Sequence, residues 1–493
     1  MAYARLSGNS TTPKKVRDTQ WAWKSERLAR TGLVLAICTL ASIATSAQTF
    51  TTLHSFNGAD GQAQNNIFLV QGFDGKLYGT TEAGGAYHAG TVFKITTAGT
   101  FTSIYSFCPP AACDDGSSPF AGLALATNGY FYGTTEFGGT ANDGTVYKIS
   151  PGGVLTTLLS LDGTDGSRPL AGLIQATNND FYGTTFGDDS SSVGTIFAMT
   201  PSGTPTLLHT FNGTDGSLPY GRLVQGTNGI FYGTTYEEGP LTQGTVYAIT
   251  AAGKLKTLHS FAEQGADGAN PVGPLFQATD GNFYGGTTAG GAHNDGTVFK
   301  MTPAGTLTSI YSFCALPSCA DGFAPQQGVI QATDGNLYGT TLEGGAHNGG
   351  TIFRITTAGV VTTLYDFCSK ASCADGYSPT SGLLQATDGN LYGATCDCFG
   401  SFGHGTVFQL SLGLAPFVRA LPAQGRISAK IVLLGTSLNG ATAVSFNGTP
   451  ATFTTVSKTA IITTVPAGAT TGYVTVTTPS GALTSNVPFR VIP

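Results

Sequence analysis

The side chains with chemistry to offer are cysteines, a set of repeated aspartates and a few histidines, because only 10% of the 493 residues are charged. Six cysteines form three pairs of one spacing, Cys108/Cys113, Cys314/Cys319 and Cys368/Cys373, each one residue ahead of an Asp-Gly. In an oxidising compartment a Cys-x4-Cys of this kind closes a local disulfide. Cys396 and Cys398 follow in a neighbouring segment and make the number of cysteines after residue 47 even, which suits complete oxidation. Four thiolates also suit zinc, so Cys368, Cys373, Cys396 and Cys398 have that alternative, but the first two pairs have no such companions.

An aspartate precedes glycine at Asp60, Asp115, Asp165, Asp215, Asp267, Asp321 and Asp375, usually with proline four residues on. Two roles compete for these carboxylates. They can cap turn N–H groups, as Gly-Pro-rich turns require, or they can ring one face and take a cation or sugar hydroxyls. The oxygen-rich spacing of a calcium loop is absent, and capping is the expectation. Acids and histidines also gather in Gly-rich loops: Glu82 and His88, Glu136 and Asp143, Glu237, His293 and Asp295, Glu343 and His347, Asp397 and His404. The histidines fall at different offsets, so they form no repeated ligand set, and no metal is expected. No nucleophile elbow, metal-binding His-Glu-x-x-His or phosphate loop is present. No catalytic residue and no cofactor is assigned.

The elements that position these groups follow from a repeat. Tyr-Gly-Thr or a near variant recurs at Tyr78, Tyr132, Tyr182, Tyr232, Tyr284, Tyr338 and Tyr392, with spacings of 54, 50, 50, 52, 54 and 54. A Gly-Thr-[Val/Ile]-[Phe/Tyr] element follows each tyrosine. Every unit reads as four strands of five to seven residues, as in GLLQAT, NLYGAT and GTVFQL, with VTTLYDF as the fourth type. Asp-Gly or Asn-Gly separates strands one and two, predicting a type I′ hairpin; only Asn178-Asn179 departs. Thr-Pro-x-Gly turns, such as Thr200-Pro201-Ser202-Gly203, separate strands three and four. With 70 glycines, 23 prolines and 41% hydrophobic residues, the chain has turns and core enough for an all-β fold.

A four-stranded unit of about 50 residues cannot bury both faces alone, and radial repetition solves this while hiding strand edges. The fold expected over residues 48–412 is a seven-bladed β-propeller. Its closure is written at the ends. Residues 49–56 (TFTTLHSF) are a fourth-type strand, and the seventh unit lacks one, so the first residues of the ring should complete the last blade.

Loops after strands two and four share a face, opposite the tight turns. The joints after strand four measure 4, 8, 4, 4, 6, 8 and 8 residues, and subtracting the last six from the six repeat spacings leaves 46 every time. All length variation therefore lies on the face that carries the cysteines and the acid-histidine loops. That is the pattern of a binding surface tuned over a fixed scaffold. Tyr87, His88, Phe120, Arg168, Tyr220, His293, Phe323, His347 and Tyr377 are the candidate binding residues there, suited to stacking on or hydrogen-bonding a neutral glycan. The opposite face is expected to offer only hairpin turns.

Residues 1–30 are basic and an apolar run over 33–44 precedes Thr45-Ser46-Ala47, the order of a signal peptide spanning 1–47. Without that segment, 15 basic residues face 26 acidic ones, a formal charge of about −11, which disfavours nucleic acid. No other segment reaches membrane-spanning length, and a secreted or surface monomer is expected. After Leu412 the repeat stops, and residues 415–493 alternate as short strands of a small β-sandwich.

Two resemblances add to this. Gly435-Thr436-Ser437-Leu438, Val444-Ser445-Phe446-Asn447-Gly448, Val465-Pro466-Ala467-Gly468 and Gly472-Tyr473-Val474-Thr475-Val476 resemble the IPT/TIG immunoglobulin-like family. LYGTT, EGGAHNGGTIF and the TPAGTL-type turn resemble the GloVer tandem repeats of secreted bacterial proteins. That second resemblance implies an exported, surface-associated protein and hands over no catalytic residue. Two functions follow. The first is a non-catalytic binding or scaffold protein for a carbohydrate or cell-surface protein, with the sandwich as spacer or second contact. The alternative, by fold analogy, is an extracellular polysaccharide hydrolase or lyase.

Overall fold

Each repeat becomes one antiparallel sheet, and seven such four-stranded sheets are followed by a two-sheet sandwich. The architecture comes from a computed structural model that describes residues 48–492 apart from 65–66, 110–111, 188–192, 264 and 397–402. The expected signal segment, residues 1–47, and Cys398 lie outside the described residues. Among the described residues no helix is long and apolar enough to cross a membrane.

The blade of residues 174–210 shows the plan, with strands Ile174–Gln175, Phe181–Thr185, Thr195–Met199 and Pro205–Thr210 in spatial order. Its Tyr-Gly-Thr-Thr strand is buried along its whole length. The tyrosines pack between blades, as aromatic side chains with large apolar area favour. Tyr132 stacks on Phe181 at 3.9 Å and Tyr182 on Phe231 at 4.1 Å. Each tyrosine hydroxyl then meets the first residue of its own turn: Tyr392 donates to Asp388 at 2.6 Å, and Tyr182 accepts from Asn178 at 3.0 Å.

The second threonine of each motif faces the threonine of the next strand. Thr185 and Thr195 share a 2.8 Å hydroxyl bond, and the same buried pair recurs at Thr81/Thr91, Thr135/Thr145, Thr235/Thr245, Thr287/Thr297, Thr341/Thr351 and Thr395/Thr406. The joint glycine lies against this pair. At Gly116 φ is +100°, and a Cβ would stand 2.2 Å from Thr135 Oγ1, so no other residue fits after the joint aspartate.

The turns correct one expectation. Gly75 N–H bonds Gly72 O at 3.0 Å and Gly72 N–H bonds Lys76 O at 2.9 Å. That is a three-residue hairpin, a type I turn followed by a left-handed residue, in place of type I′. Glycine is needed at one position only, and Asn179 adopts it at φ 74°, which explains why Asn-Asn substitutes there. The first strands are also shorter than expected, two residues in six blades and three in Val329–Gln331, because they crowd round the axis.

Blades are latched by a glutamine seven residues before the motif tyrosine. The amides of Thr127, Thr177, Thr227, Thr279 and Thr333 donate to the Oε1 atoms of Gln175, Gln225, Gln277, Gln331 and Gln385 in the following blade. Closure repeats the device, as Thr387 N–H donates to Gln71 Oε1 at 3.0 Å. Thr49–Ser55 pairs antiparallel with Thr406–Ser411 and completes the last blade, as its sequence type requires.

One joint lacks the latch. Blades one and two carry Phe73 and Leu125 where the others have threonine and glutamine. Phe73 and Leu125 pack instead against Val432, Leu434 and Ala460 of the sandwich. The hydroxyls of Ser457 and Thr459 both donate to Phe73 O, at 3.1 and 2.7 Å. The hairpin-turn face is therefore not bare: the sandwich is seated on it. The two sandwich sheets, ordered Arg419–Leu421, Lys430–Leu434, Ala460–Thr464, Phe453–Ser457 and Thr449–Ala451, Ala443–Phe446, Val474–Thr478, Gly481–Thr484, enclose a core including Ile431, Leu433, Phe446, Ile461, Val476 and Phe489.

Candidate functional site

The three longest joints are each closed by a disulfide. Cys108–Cys113, Cys314–Cys319 and Cys368–Cys373 are disulfide-bonded with Cα atoms 4.2, 4.0 and 4.0 Å apart. Cys396 is buried and disulfide-bonded as well. Asp295 lies within 4.8 Å of Cys314 and Cys319, but both sulfurs are spent in a disulfide, so this trio is not a thiolate metal site.

Six of the seven joint aspartates are caps held by a partner from strand four. Where the joint is bridged by cysteines the partner is a tyrosine ten residues earlier: Tyr105 with Asp115, Tyr311 with Asp321 and Tyr365 with Asp375, at 2.7 to 2.8 Å. In unbridged joints it is a histidine: His54 with Asp60 at 2.9 Å, His209 with Asp215 at 2.8 Å and His259 with Asp267 at 2.6 Å. The carboxylates accept backbone N–H groups at the same time, from Asn57, Cys108, Asn212, Leu316 and Lys370 among others. Burial alone would raise the Asp375 carboxyl. Bonds from Ser369, Tyr365 and the Lys370 amide outweigh it and hold the group below its ordinary value. Asp165 has Leu159 in place of an aromatic partner, and burial with the Asp162 charge pushes it up.

Two candidate binding residues come together above blades two to four. The Arg168 guanidinium places Nε and one terminal nitrogen on Glu136 Oε1 at 3.1 and 2.7 Å. It also lies over the rings of Phe137 and Phe186, at 5.4 and 5.5 Å. Phe186 meets Tyr220 at 4.7 Å, and Tyr220 meets Tyr236 edge-on at 5.6 Å. Burial, then the neighbouring Tyr236, raise the Tyr220 hydroxyl, so it remains a neutral donor and acceptor. The four rings are all half-buried, giving a fixed aromatic floor with a cation held over it by a buried carboxylate.

A smaller patch forms over the last blades. Phe323 N–H donates to Glu343 O at 2.9 Å, and burial with the Glu343 carboxylate raises the Tyr377 hydroxyl. The remaining candidates are not gathered. Tyr87 and His88, His293, and His347 are exposed on three separate loops, and among the described residues nothing joins one loop's candidates to another's. Phe120 is half-buried in the segment leading into the second blade.

Phe186 and Tyr236 were not among the candidates, although the repeat marks them. They occupy the residue after Tyr-Gly-Thr-Thr, where the other blades place Glu82, Glu136, Thr288, Leu342 and Cys396. Only a position-by-position comparison of the seven units singles them out.

A model of the Gloeobacter/Verrucomicrobia repeat matches residues 36–194, 152–319 and 315–443, and an IPT/TIG domain model matches residues 417–491. No curated protein matches the chain at a significant level. Among solved structures, virginiamycin B lyase from Staphylococcus aureus aligns at 16% identity and TM-score 0.50, over 74% of this chain and 99% of that one. A fungal alcohol oxidase of the AA5 family, in complex with copper, aligns at 12% and TM-score 0.52, over 90% and 99%. Likeness at such identity concerns the β-propeller scaffold and not the chemistry. The chain is a member of the Gloeobacter/Verrucomicrobia repeat family, folded as a β-propeller that carries an IPT/TIG domain.

Proposed function

We propose that the protein is an exported, non-catalytic binding protein that holds a neutral glycan on the joint face, at the aromatic floor formed by Phe186, Tyr220 and Tyr236 beside Arg168. The observation that carries this reading is the floor itself. Half-buried rings offer C–H stacking to a pyranose, and the Arg168–Glu136 pair supplies charged donors and acceptors fixed in place for its hydroxyls. Affinity comes from a preformed surface that orders little on binding. The sandwich supports the same direction, since it occupies the hairpin face and leaves the joint face as the side on which loops differ. Export is supported by three local disulfides, which persist in oxidising compartments, and by the basic-then-apolar order of residues 1–47.

The test is a glycan array probed with the protein lacking residues 1–47, followed by titration of the best ligand against Tyr220→Ala and Arg168→Ala. Both variants should lose about tenfold or more in affinity, the scale of a stacked or charge-assisted contact. Undiminished binding in both variants, or turnover of the glycan, would reject the reading.

A further inference from the structure

On the propeller axis lies a cavity of about 510 Å³ to which all seven blades contribute, closed on the hairpin side by residues of the sandwich. Its walls are mostly apolar, with strand-one side chains such as Val70, Leu173, Phe276 and Leu384. Its volume falls in the range of small-molecule sites, roughly 300–1,000 Å³. Two charged side chains line it, Arg222 from blade four and Arg419 from the sandwich, and no aspartate or glutamate does.

Arg222 breaks the repeat. Ten residues before the motif tyrosines of the other blades stand Phe68, Gly122, Gly172, Pro274, Gly328 and Gly382, so one charge projects where the scaffold otherwise places small or apolar residues. Its side chain is exposed, and it lines this cavity. Arg419 is fixed from the other end, donating to Gln385 O at 3.0 Å. At the same wall Asn486 Oδ1 is buried without a hydrogen-bond partner, and rotation of that amide can present either a donor or an acceptor.

We propose that this cavity binds a small organic anion, a carboxylate or phosphate ester, whose charge is shared by Arg222 and Arg419 and whose polar body meets the Asn486 amide. Two like charges facing one low-dielectric space oppose each other, and an anion between them removes that opposition. The electrostatics agree: burial lowers both guanidinium pKa values, and Arg222 adds to the lowering of Arg419, to about 10, so Arg419 remains charged at neutral pH. The planar forks suit a bidentate carboxylate or phosphate. Tyr220 lies at the cavity wall as well as on the aromatic floor, so this site is a neighbour of the glycan surface and takes a different class of ligand.

The probes are citrate, inorganic phosphate and glucose, each titrated calorimetrically into the protein lacking residues 1–47 at constant ionic strength, with melting temperatures recorded in parallel. Citrate or phosphate should bind saturably at one site per chain and raise the melting temperature, while glucose should do neither. Arg222→Gln and Arg419→Gln should each weaken the anion by about tenfold or more, and Arg222→Lys should retain part of the binding. In anion-poor buffer Arg222→Gln should melt higher than the parent, because one of two opposed charges is gone. That gain also shows that the variant folds. Absence of saturable binding by both anions, or binding unchanged in both glutamine variants, would overturn the proposal. So would an Arg222→Gln protein that melts lower without anion, since the arginine would then be a structural group.

Discussion

Thr387 donates its amide to Gln71 Oε1 at 3.0 Å across 316 residues of chain, and Gln71 Nε2 returns a bond to Thr387 Oγ1 at 3.1 Å. The bond that joins successive blades thus also joins the last to the first. A linear stack would leave both groups at its ends, whereas here both are buried.

Gln71→Leu should therefore destabilise the ring by about 1–3 kcal/mol, because the Thr387 N–H is left buried without a partner. Deleting residues 48–56 should cost far more. It removes the strand Thr49–Ser55 and exposes the edge of Thr406–Ser411. Thermal melts of both variants check the order, and a harmless deletion would show that the last blade stands without its borrowed strand.

The unlatched joint makes a converse case. In the double variant Phe73→Thr with Leu125→Gln, the missing glutamine bond is restored while the apolar seat of Val432, Leu434 and Ala460 is lost. The propeller should melt unchanged or higher, and the sandwich should loosen, seen as faster limited proteolysis within residues 412–417. Unchanged protease resistance would mean that polar contacts, such as those to the Phe73 and Gln385 carbonyls, hold the sandwich without the apolar seat.

Replacing Cys314 and Cys319 together by serine should lower stability modestly, by less than the ~3 kcal/mol expected for a 15-residue loop, because the closed loop is short. Peptide mapping without reductant should return Cys108–Cys113, Cys314–Cys319 and Cys368–Cys373 as linked pairs. Loss of cooperative unfolding on reduction would show that these bridges hold more than their own loops.

The hydroxyls of Tyr147 and Tyr247 are buried without a partner, at a position where the other blades use Phe93, Phe197, Phe299, Phe353 and Phe408. Burial alone raises both phenols. Tyr147→Phe should stabilise by about 1 kcal/mol, the scale of an unmet hydroxyl. A denaturant melt that shows destabilisation would reveal a partner for that oxygen.

What the sequence made legible was what the repeat enforces in every copy. The Tyr-Gly-Thr strands, the turn glycines and the borrowed strand at residues 49–56 follow from types that each blade must satisfy. Less legible was what a single copy does alone. Nothing in the sequence says why Phe73 and Leu125 matter, which is that the sandwich rests on them, or why Arg222 does, which is that it lines the cavity on the axis. The histidines misled for a related reason. His88, His293 and His347 sit on loops of similar composition, yet radial symmetry spreads such loops round the ring and keeps them apart. Arg168 and Tyr220 came together because they belong to adjacent joints, and Phe186 and Tyr236 complete the floor from the loops between.

The central claim is that the joint face binds and does not transform its ligand. The most direct measurement is calorimetric titration of an array-selected neutral glycan into the protein lacking residues 1–47, alongside Tyr220→Ala, with the glycan recovered afterwards and analysed by mass spectrometry. The expected result is saturable binding, weakened about tenfold or more by the substitution, with the glycan returned intact. Binding that is indifferent to Tyr220, or a glycan returned cleaved or unsaturated, would contradict it.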